Sequence, residues 1–365
     1  MSTSRITPEA ADPLGTPAYP GLNAQCTELF NRERARLLAA LGSITAGGII
    51  EGLEHIGSTS VPGLSGGGCV DIGLAVWPFP LAPSRQAALE DIGYKLLEAD
   101  DASIQRFALQ YDAVQLFIVV AGGEHWAEYL LVRDYLRHNA LARQNWASLT
   151  SKALRFEGLL PDAHRWWVKH HGFSPVEAVA EELKALNCRW YISSGWALDL
   201  FLGEVTRLHH DVDVIVARAD QLTLQRYMIE RGWQWLTPFE RRVESWPPHM
   251  QLALPRHQAH AHRDGAFIDF LLTDIEHGVW RYRRSPSILR SVERMSLSAQ
   301  NGIPYLAPEL VLLFKSKNTS DQERRKDQTD FERVRGHLEP ERRAWLRWAL
   351  MATEPEHRWL RQLGE

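Results

Sequence analysis

Ser193-Ser194-Gly195-Trp196-Ala197-Leu198-Asp199, followed by Gly203 and then Thr206-Arg207-Leu208-His209-His210-Asp211-Val212-Asp213-Val214, decides the fold class of this 365-residue chain. Strand alternation in Asp211-Val212-Asp213 puts both carboxylates on one face and turns Val212 and Val214 into a core. Two neighbouring carboxylates repel unless a divalent cation lies between them. Hard oxygen ligands suit Mg²⁺, which also holds the phosphates of a nucleoside triphosphate. Upstream, the small residues 193–195 close a strand-like run, Arg189-Trp190-Tyr191-Ile192, and open an apolar helix from Trp196 to Leu202. The N–H groups of such a turn are placed to cradle phosphate oxygens.

Gly195 to Asp213 closely resembles the aminoglycoside 2''-O-adenylyltransferase and lincosamide nucleotidyltransferase group of the DNA polymerase β-like superfamily. That group carries Gly-Gly-Trp-Ala-(Ile/Leu)-Asp, then Leu-Gly-x-x-Thr-Arg-x-His-x-Asp-(Ile/Val)-Asp. Ser194 stands where the first glycine of the pair usually is, a replacement the wider superfamily tolerates. The resemblance calls for a third carboxylate on a neighbouring strand, and Asp269 within Ala266-Phe267-Ile268-Asp269-Phe270-Leu271-Leu272 supplies it. An acid inside an apolar strand has a perturbed pKa, and by resemblance Asp269 joins the metal site or acts as base on the acceptor hydroxyl. Asp274, at the end of the run, reads as a turn residue.

Farther on, Pro308-Glu309 starts a helix whose apolar run, 310–314, leads to Lys315-Ser316-Lys317, and Lys326-Asp327-Gln328-Thr329-Asp330-Phe331 follows. This too is similar to the group, and either Lys315 or Lys317 is a candidate to meet the triphosphate as a point charge. Arg207 is a candidate phosphate contact or loop clamp, and His209 a candidate to orient a carboxylate. Asp327 and Asp330, three apart on a helix, are expected to pair locally with Arg324, Arg325 or Arg333. Asp199 reads equally as a helix-to-loop hydrogen-bonding residue and as a substrate contact.

In the first half, Glu54-His55-Ile56-Gly57-Ser58-Thr59-Ser60-Val61-Pro62-Gly63-Leu64, then Asp71-Ile72, and later Val132-Arg133-Asp134-Tyr135-Leu136-Arg137, are similar to the GrpB-like family, itself related to the nucleotidyltransferase fold. A Gly57-Ser58 turn facing phosphate, with Asp71 on the next strand, parallels the second half. Position 73 is glycine, so no Asp-x-Asp forms, and one carboxylate makes a poor two-metal site. The family's Ala-Lys-Pro is replaced by Gly66-Gly67-Gly68-Cys69-Val70, which removes a lysine that would meet phosphate. The first half is therefore expected to be noncatalytic or differently catalytic. It either retains binding through Gly57, Ser58, Arg133 and Arg137, or uses Arg133, Asp134 and Arg137 as a structural ion-pair network.

The remaining sequence sets bounds. A 45% hydrophobic and 24% charged composition is globular, and the length suffices for two cores. A net charge of −4 argues against a protein that coats nucleic acid. Cys26, Cys69 and Cys188 are scattered without metal spacing, consistent with a reducing cytoplasm. No signal peptide or membrane-spanning run is evident. His257-Gln258-Ala259-His260-Ala261-His262 reads as a solvated hairpin loop, and Trp233, Trp235 and Trp246 are candidates to line an acceptor pocket.

The expectation is an α/β (α+β) chain with two tandem nucleotidyltransferase-like domains, each a mixed sheet flanked by helices. Residues 1–20 form a flexible arm, 21–172 the GrpB-like domain, and 173–365 the polymerase β-like domain with C-terminal helices; Ser174 caps the helix that opens the latter. The expected chemistry is Mg²⁺-dependent transfer of AMP, with ATP as donor by resemblance, to a hydroxyl of a small-molecule acceptor. Asp211, Asp213 and Asp269 serve as metal ligands and catalytic acids; Ser194, Gly195, Arg207, Lys315, Lys317, Gly57 and Ser58 as nucleotide contacts. Carboxylate activation for amide formation, or nucleotide sensing without catalysis, are the competing readings. The sequence does not set an oligomeric state.

Overall fold

The computed structural model describes residues 24–364 apart from 43–49, 65–68, 77–78, 99–103, 110–113, 122, 149–151, 210, 240–241, 264–265 and 318–320. The expected N-terminal arm and the Gly66-Gly67-Gly68 segment lie outside the described residues. The chain divides into two compact units: Met1–His171 with Gln234–Ser245 and His262–Phe267, and Gly172–Trp233 with Trp246–Ala261 and Ile268–Glu365.

In the first unit, α1 (Ala24–Leu41) precedes β1 (Ile50–Ile56) and β2 (Val70–Val76). Helix α2 (Pro83–Asp91) then leads to β3 (Tyr94–Glu98), β4 (Ile104–Leu109) and β5 (Val114–Val120), and α3 (Glu124–His138), α4 (Ala140–Ser148) and α5 (Lys152–His171) complete the run. The sheet order is β1-β2-β5-β4-β3, with β2 and β5 parallel and β1 antiparallel to β2. Strand β2, Val-Asp-Ile-Gly-Leu-Ala-Val, is buried along its whole length, as befits a central strand covered on both faces. Leu37, Ile72, Leu74, Phe107, Leu116 and Ile118 belong to its core.

The second stretch begins with α6 (Ser174–Glu182), β6 (Trp190–Ile192), α7 (Ser194–Leu202), β7 (Asp213–Ala217) and α8 (Gln221–Ile229). Next come β8 (Gln234–Phe239), β9 (Arg242–Ser245), β10 (Gln258–Arg263), β11 (Ala266–Glu276), β12 (Val279–Arg281), β13 (Leu289–Ser291), α9 (Val292–Met295), β14 (Ser296–Ser298) and β15 (Pro304–Leu306). The helices α10 (Pro308–Lys315), α11 (Asp321–Arg335), α12 (Pro340–Thr353) and α13 (Trp359–Gln362) end the chain. The strands that matter for chemistry run β15-β6-β7-β11-β10, with β6 antiparallel and β11 parallel to β7. Both sheets are thus mixed and accompanied by helices, the architecture expected from the sequence.

Local details depart from the sequence reading. Phe173, not Ser174, is the cap residue of α6; Ser174 is already helical and makes no capping bond. Helix α7 starts two residues earlier than its apolar run, at Ser194, and closes on Gly203 in the left-handed conformation, whose N–H bonds the Asp199 carbonyl at 2.9 Å. The apolar run of α10 buries Leu310 to Leu313 completely or nearly so, and burying each leucine is worth about 1.5–3 kcal/mol. No described helix is long and apolar enough to cross a membrane.

Candidate active site

The site is built where β6 ends and β7 begins. Ser193 is extended, and its N–H bonds the Asp213 carbonyl at 2.8 Å, so the turn into α7 is stitched to the acid-bearing strand. Ser194 then adopts φ 51°, the left-handed conformation that the usual glycine takes freely and serine pays for with roughly 1–2 kcal/mol. Its hydroxyl lies beside the Asp213 carboxylate and favours that group's charged form, which offsets part of that strain. Gly195 has no room for a side chain: a Cβ would lie 2.5 Å from Arg207 Nη2 and equally close to His209 Nδ1.

Parallel pairing of β7 with β11 sets Asp213 directly beside Asp269, and the Asp269 N–H bonds the Val212 carbonyl at 3.1 Å. Asp211, just before β7, is anchored through its carbonyl, which accepts the Trp196 indole N–H at 2.9 Å. As a result carboxylate oxygens of Asp211, Asp213 and Asp269 all lie within 4.8 Å of one another. Asp269 is buried, whereas the other two keep partial exposure. Burial pushes the Asp213 carboxyl up to about 7, helped by the neighbouring Asp211 charge. Burial, then Asp213 and Asp211, raise Asp269 well above the carboxylate range; burial also raises Asp211, against Lys326 and Arg207. Three acids that resist ionising together are the donor set a hard divalent cation relieves, and these residues fit such an ion.

Strand β10 supplies what the sequence reading had assigned to a hairpin loop. Gln258 donates its amide to Asp269 Oδ2 at 2.5 Å, and His260 Nε2 stands 3.7 Å from Asp269 Oδ1. The available signal was the period-two alternation itself: Ala259 and Ala261 are fully buried, between Gln258 and His260 on the other face.

Around the acids is a brace. Asp199 accepts the Thr206 N–H at 3.1 Å, the Thr206 hydroxyl at 2.6 Å and His209 Nε2 at 2.6 Å, so it fastens α7 to the loop that delivers Asp211. Burial raises Asp199 to about 6 and holds His209 well below its usual value, leaving a neutral imidazole donating to a carboxylate at pH 7. His209 also packs on Trp196, with ring centroids 4.4 Å apart.

The cations divide into two sets. Arg207 grips Asp330 with two bonds of 3.2 Å, and Lys315 bonds Asp327 at 2.6 Å and Asp330 at 2.9 Å. Asp327 and Asp330 therefore pair with cations outside their own helix, Lys315 and Arg207. Lys317 turns to the C-terminal helices, bonding the Thr353 carbonyl at 3.2 Å and Glu354 at 2.7 Å. Lys326 makes no ion pair among the described residues, and its charge is felt at Asp211. It occupies the same face of α11 as Asp330, one turn earlier. The structure thus brings Ser194, Gly195, Arg207 and Lys315 around the three acids and leads Lys317 elsewhere. Trp233 and Trp246 are buried, their indole N–H groups bonded to Glu182 and to the Met250 carbonyl, and Trp235 is buried as well. Asp274 lies within β11 and pairs with Arg218 at 2.8 Å.

In the first unit, Gly57 has φ 71° and the Cβ of any other residue there would overlap the Asp71 carboxylate. Ser58 to Ser60 form one 3₁₀ turn whose polar groups are internally engaged: Ser60 Oγ donates to the Gly57 carbonyl at 2.6 Å, and Thr59 bridges His55 and the Cys69 carbonyl. Arg133 is buried against Glu54 at 3.0 Å and Asp134 at 2.7 Å, while Arg137 holds the Ser60 carbonyl at 3.0 Å. Arg133, Asp134 and Arg137 thus share one ion-pair network that also holds Glu54 and the Ser60 carbonyl.

Known proteins divide along the same line. Residues 21–158 match the GrpB protein family model, and residues 175–333 match that of aminoglycoside-2''-adenylyltransferase. A UPF0157 protein of Halalkalibacterium halodurans is 29% identical over 163 residues, 44% of this chain and 77% of that protein. One of Streptomyces coelicolor is 35% identical over 133 residues, 36% of this chain and 66% of that protein. Among solved structures, GrpB from Enterococcus faecalis aligns with 45% of this chain and 96% of its own, at 19% identity and a TM-score of 0.32. The antibiotic-resistance factor ANT(2'')-Ia aligns with 49% of this chain and 91% of its own, at 13% identity and a TM-score of 0.34. The chain therefore joins a GrpB-type domain to an aminoglycoside-2''-adenylyltransferase-type domain, in that order.

Proposed function

We propose that the second domain, residues 173–365, transfers AMP from ATP to a hydroxyl of a small-molecule acceptor and releases pyrophosphate. The observation that carries this reading is the cluster of Asp211, Asp213 and Asp269, within 4.8 Å of one another beside the Ser193–Gly195 turn, in the segment that matches the adenylyltransferase family. The three acids would hold Mg²⁺, whose contribution is to neutralise negative charge on the phosphates. The first-turn N–H groups of α7 and the charge of Lys326 face the triphosphate, and the Asp330 carboxylate keeps Arg207 beside Gly195. Asp269, with Oδ2 bonded to Gln258, takes the acceptor's proton at Oδ1. Attack on the α-phosphorus then forms the new phosphoester bond and expels pyrophosphate. Cys26, Cys69 and Cys188 are free thiols, and we place the reaction in the cytoplasm.

The test is pyrophosphate release and acceptor mass with each nucleoside triphosphate, Mg²⁺, and a panel of aminoglycosides, lincosamides and other polyhydroxylated metabolites. An acceptor carrying one added AMP, absent with Asp213→Asn/Asp269→Asn, is expected. Turnover that persists undiminished in that double variant would refute the assignment.

A further inference from the structure

The first domain repeats the geometry of the second-domain site. Ile56 pairs with Asp71 across β1 and β2, and the equivalent step in the second domain is the Ser193 N–H bonded to the Asp213 carbonyl. The next residue in each case takes a positive φ, 71° at Gly57 and 51° at Ser194. Each then lies beside the carboxylate of the facing strand: a Cβ at Gly57 would overlap the Asp71 carboxylate, and Ser194 follows the residue bonded to the Asp213 backbone, with its hydroxyl near the Asp213 carboxylate. On the other side, Asp71 pairs with Gln115 in parallel β2 and β5, as Asp213 pairs with Asp269 in parallel β7 and β11. These correspondences make Asp71 the counterpart of Asp213, Gln115 that of Asp269, and Cys69, two residues before Asp71, that of Asp211.

We infer that the first domain is a degenerate copy of the metal site, in which two of three carboxylates are replaced by Cys69 and Gln115, and that it holds no divalent cation. This rests on the reading of the second-domain acids as metal ligands. The three first-domain positions carry one carboxylate, Asp71, where Asp211, Asp213 and Asp269 are three, and the neutral amide of Gln115 and the thiol of Cys69 remove the repulsion that calls for a cation. Elsewhere in the turn, Thr59, Ser60 and Arg137 are already bonded to one another or to nearby backbone, so the fold persists on its own hydrogen bonds.

Mn²⁺ titration of the full chain, followed by electron paramagnetic resonance, tests this in five proteins: wild type, Asp71→Asn, Asp213→Asn/Asp269→Asn, Cys69→Asp/Gln115→Asp, and the last two combined. Tight binding is expected in wild type and in Asp71→Asn, is lost in Asp213→Asn/Asp269→Asn, and returns in the combined variant through about one restored site per chain. Binding that survives Asp213→Asn/Asp269→Asn but disappears with Asp71→Asn overturns the inference, as does a folded combined variant that binds nothing. Wild type without binding, alongside a combined variant that binds, refutes the second-domain reading while sustaining the correspondence. Should Cys69→Asp/Gln115→Asp fail to fold, judged by circular dichroism, Asp71→Asn and Asp213→Asn/Asp269→Asn decide the matter alone.

Discussion

Asp330→Asn should unfasten the second domain. Burial by itself would raise the Asp330 carboxyl, but Lys315 and then Arg207 overcome it and hold the group down at about 2. A fall from 3.8 to about 2 corresponds to roughly 2–3 kcal/mol, at about 1.36 kcal/mol per pH unit. Asparagine imitates the protonated acid: it keeps the shape, loses the charge, and leaves Arg207 without its bidentate partner while Lys315 retains Asp327. For a domain of this size the loss lowers the melting temperature by roughly 5–10 °C at pH 7. Because the folded-state pKa is depressed, the stabilisation is complete above about pH 4–5 and is lost as pH falls through about 2, so wild type and variant must converge in acid. Asp327→Asn, which weakens the 2.6 Å bond to Lys315 and leaves the Arg207 pair with Asp330 in place, should cost less. Scanning calorimetry of the three proteins between pH 7 and pH 2.5 measures both effects. A variant melting within 1 °C of wild type at pH 7, or a gap that stays constant in acid, would refute the argument that these cations are fixed by Asp330.

Mg²⁺ should raise the melting temperature of wild type and leave Asp213→Asn/Asp269→Asn unmoved, while that variant without metal melts above metal-free wild type because the repulsion has gone; differential scanning fluorimetry checks the order. Ser194→Gly should sit within about 0.5 kcal/mol of wild type, exchanging left-handed strain for the lost hydroxyl beside Asp213, whereas Ser194→Ala keeps the strain and loses about 0.5–1.5 kcal/mol in urea unfolding. The reverse ranking would mean that Ser194 is not strained. In the first domain, Arg133→Met removes the ion pairs to Glu54 and Asp134, while Asp134 keeps Arg137, and should cost about 1–3 kcal/mol, with faster hydrogen exchange at residues 54–60; unchanged exchange there would deny the network its structural role.

The acids of the second domain were legible because their spacing obeys strand periodicity: Asp211 and Asp213 alternate with valines that are buried, and Asp269 interrupts an apolar strand. The partners of Asp327 and Asp330 were not. A helix displays only its own neighbours three and four residues away, so the nearby arginines looked like partners, but Arg207, 123 positions distant in sequence, takes Asp330. Gln258 and His260 were hidden by composition. Histidines and alanines give little hydrophobic contrast, and the alternation that marks β10 as a strand was read as a polar loop.

The first-domain site shows why residue spacing can mislead even when the motif is recognised. Counting from Gly57 to Asp71 gives 14, close to the 16 from Gly195 to Asp211, which suggests Asp71 as the counterpart of Asp211 and Gly73 as the missing second acid. Register gives the other answer, because the loop between strands can change length while the pair Ile56 with Asp71 is fixed by hydrogen bonding. A shift of two residues preserves the strand face, so both alignments put an acid toward the turn, and sequence periodicity cannot choose between them. Only the contact of Gly57 with Asp71, and the cross-strand pairing of Asp71 with Gln115, identify which carboxylate remains and which have been exchanged. On the proposed assignment, Gln115 at the position of Asp269 leaves the first domain without a proton acceptor as well as without the cation's ligands, and that reading puts the reaction in the second domain.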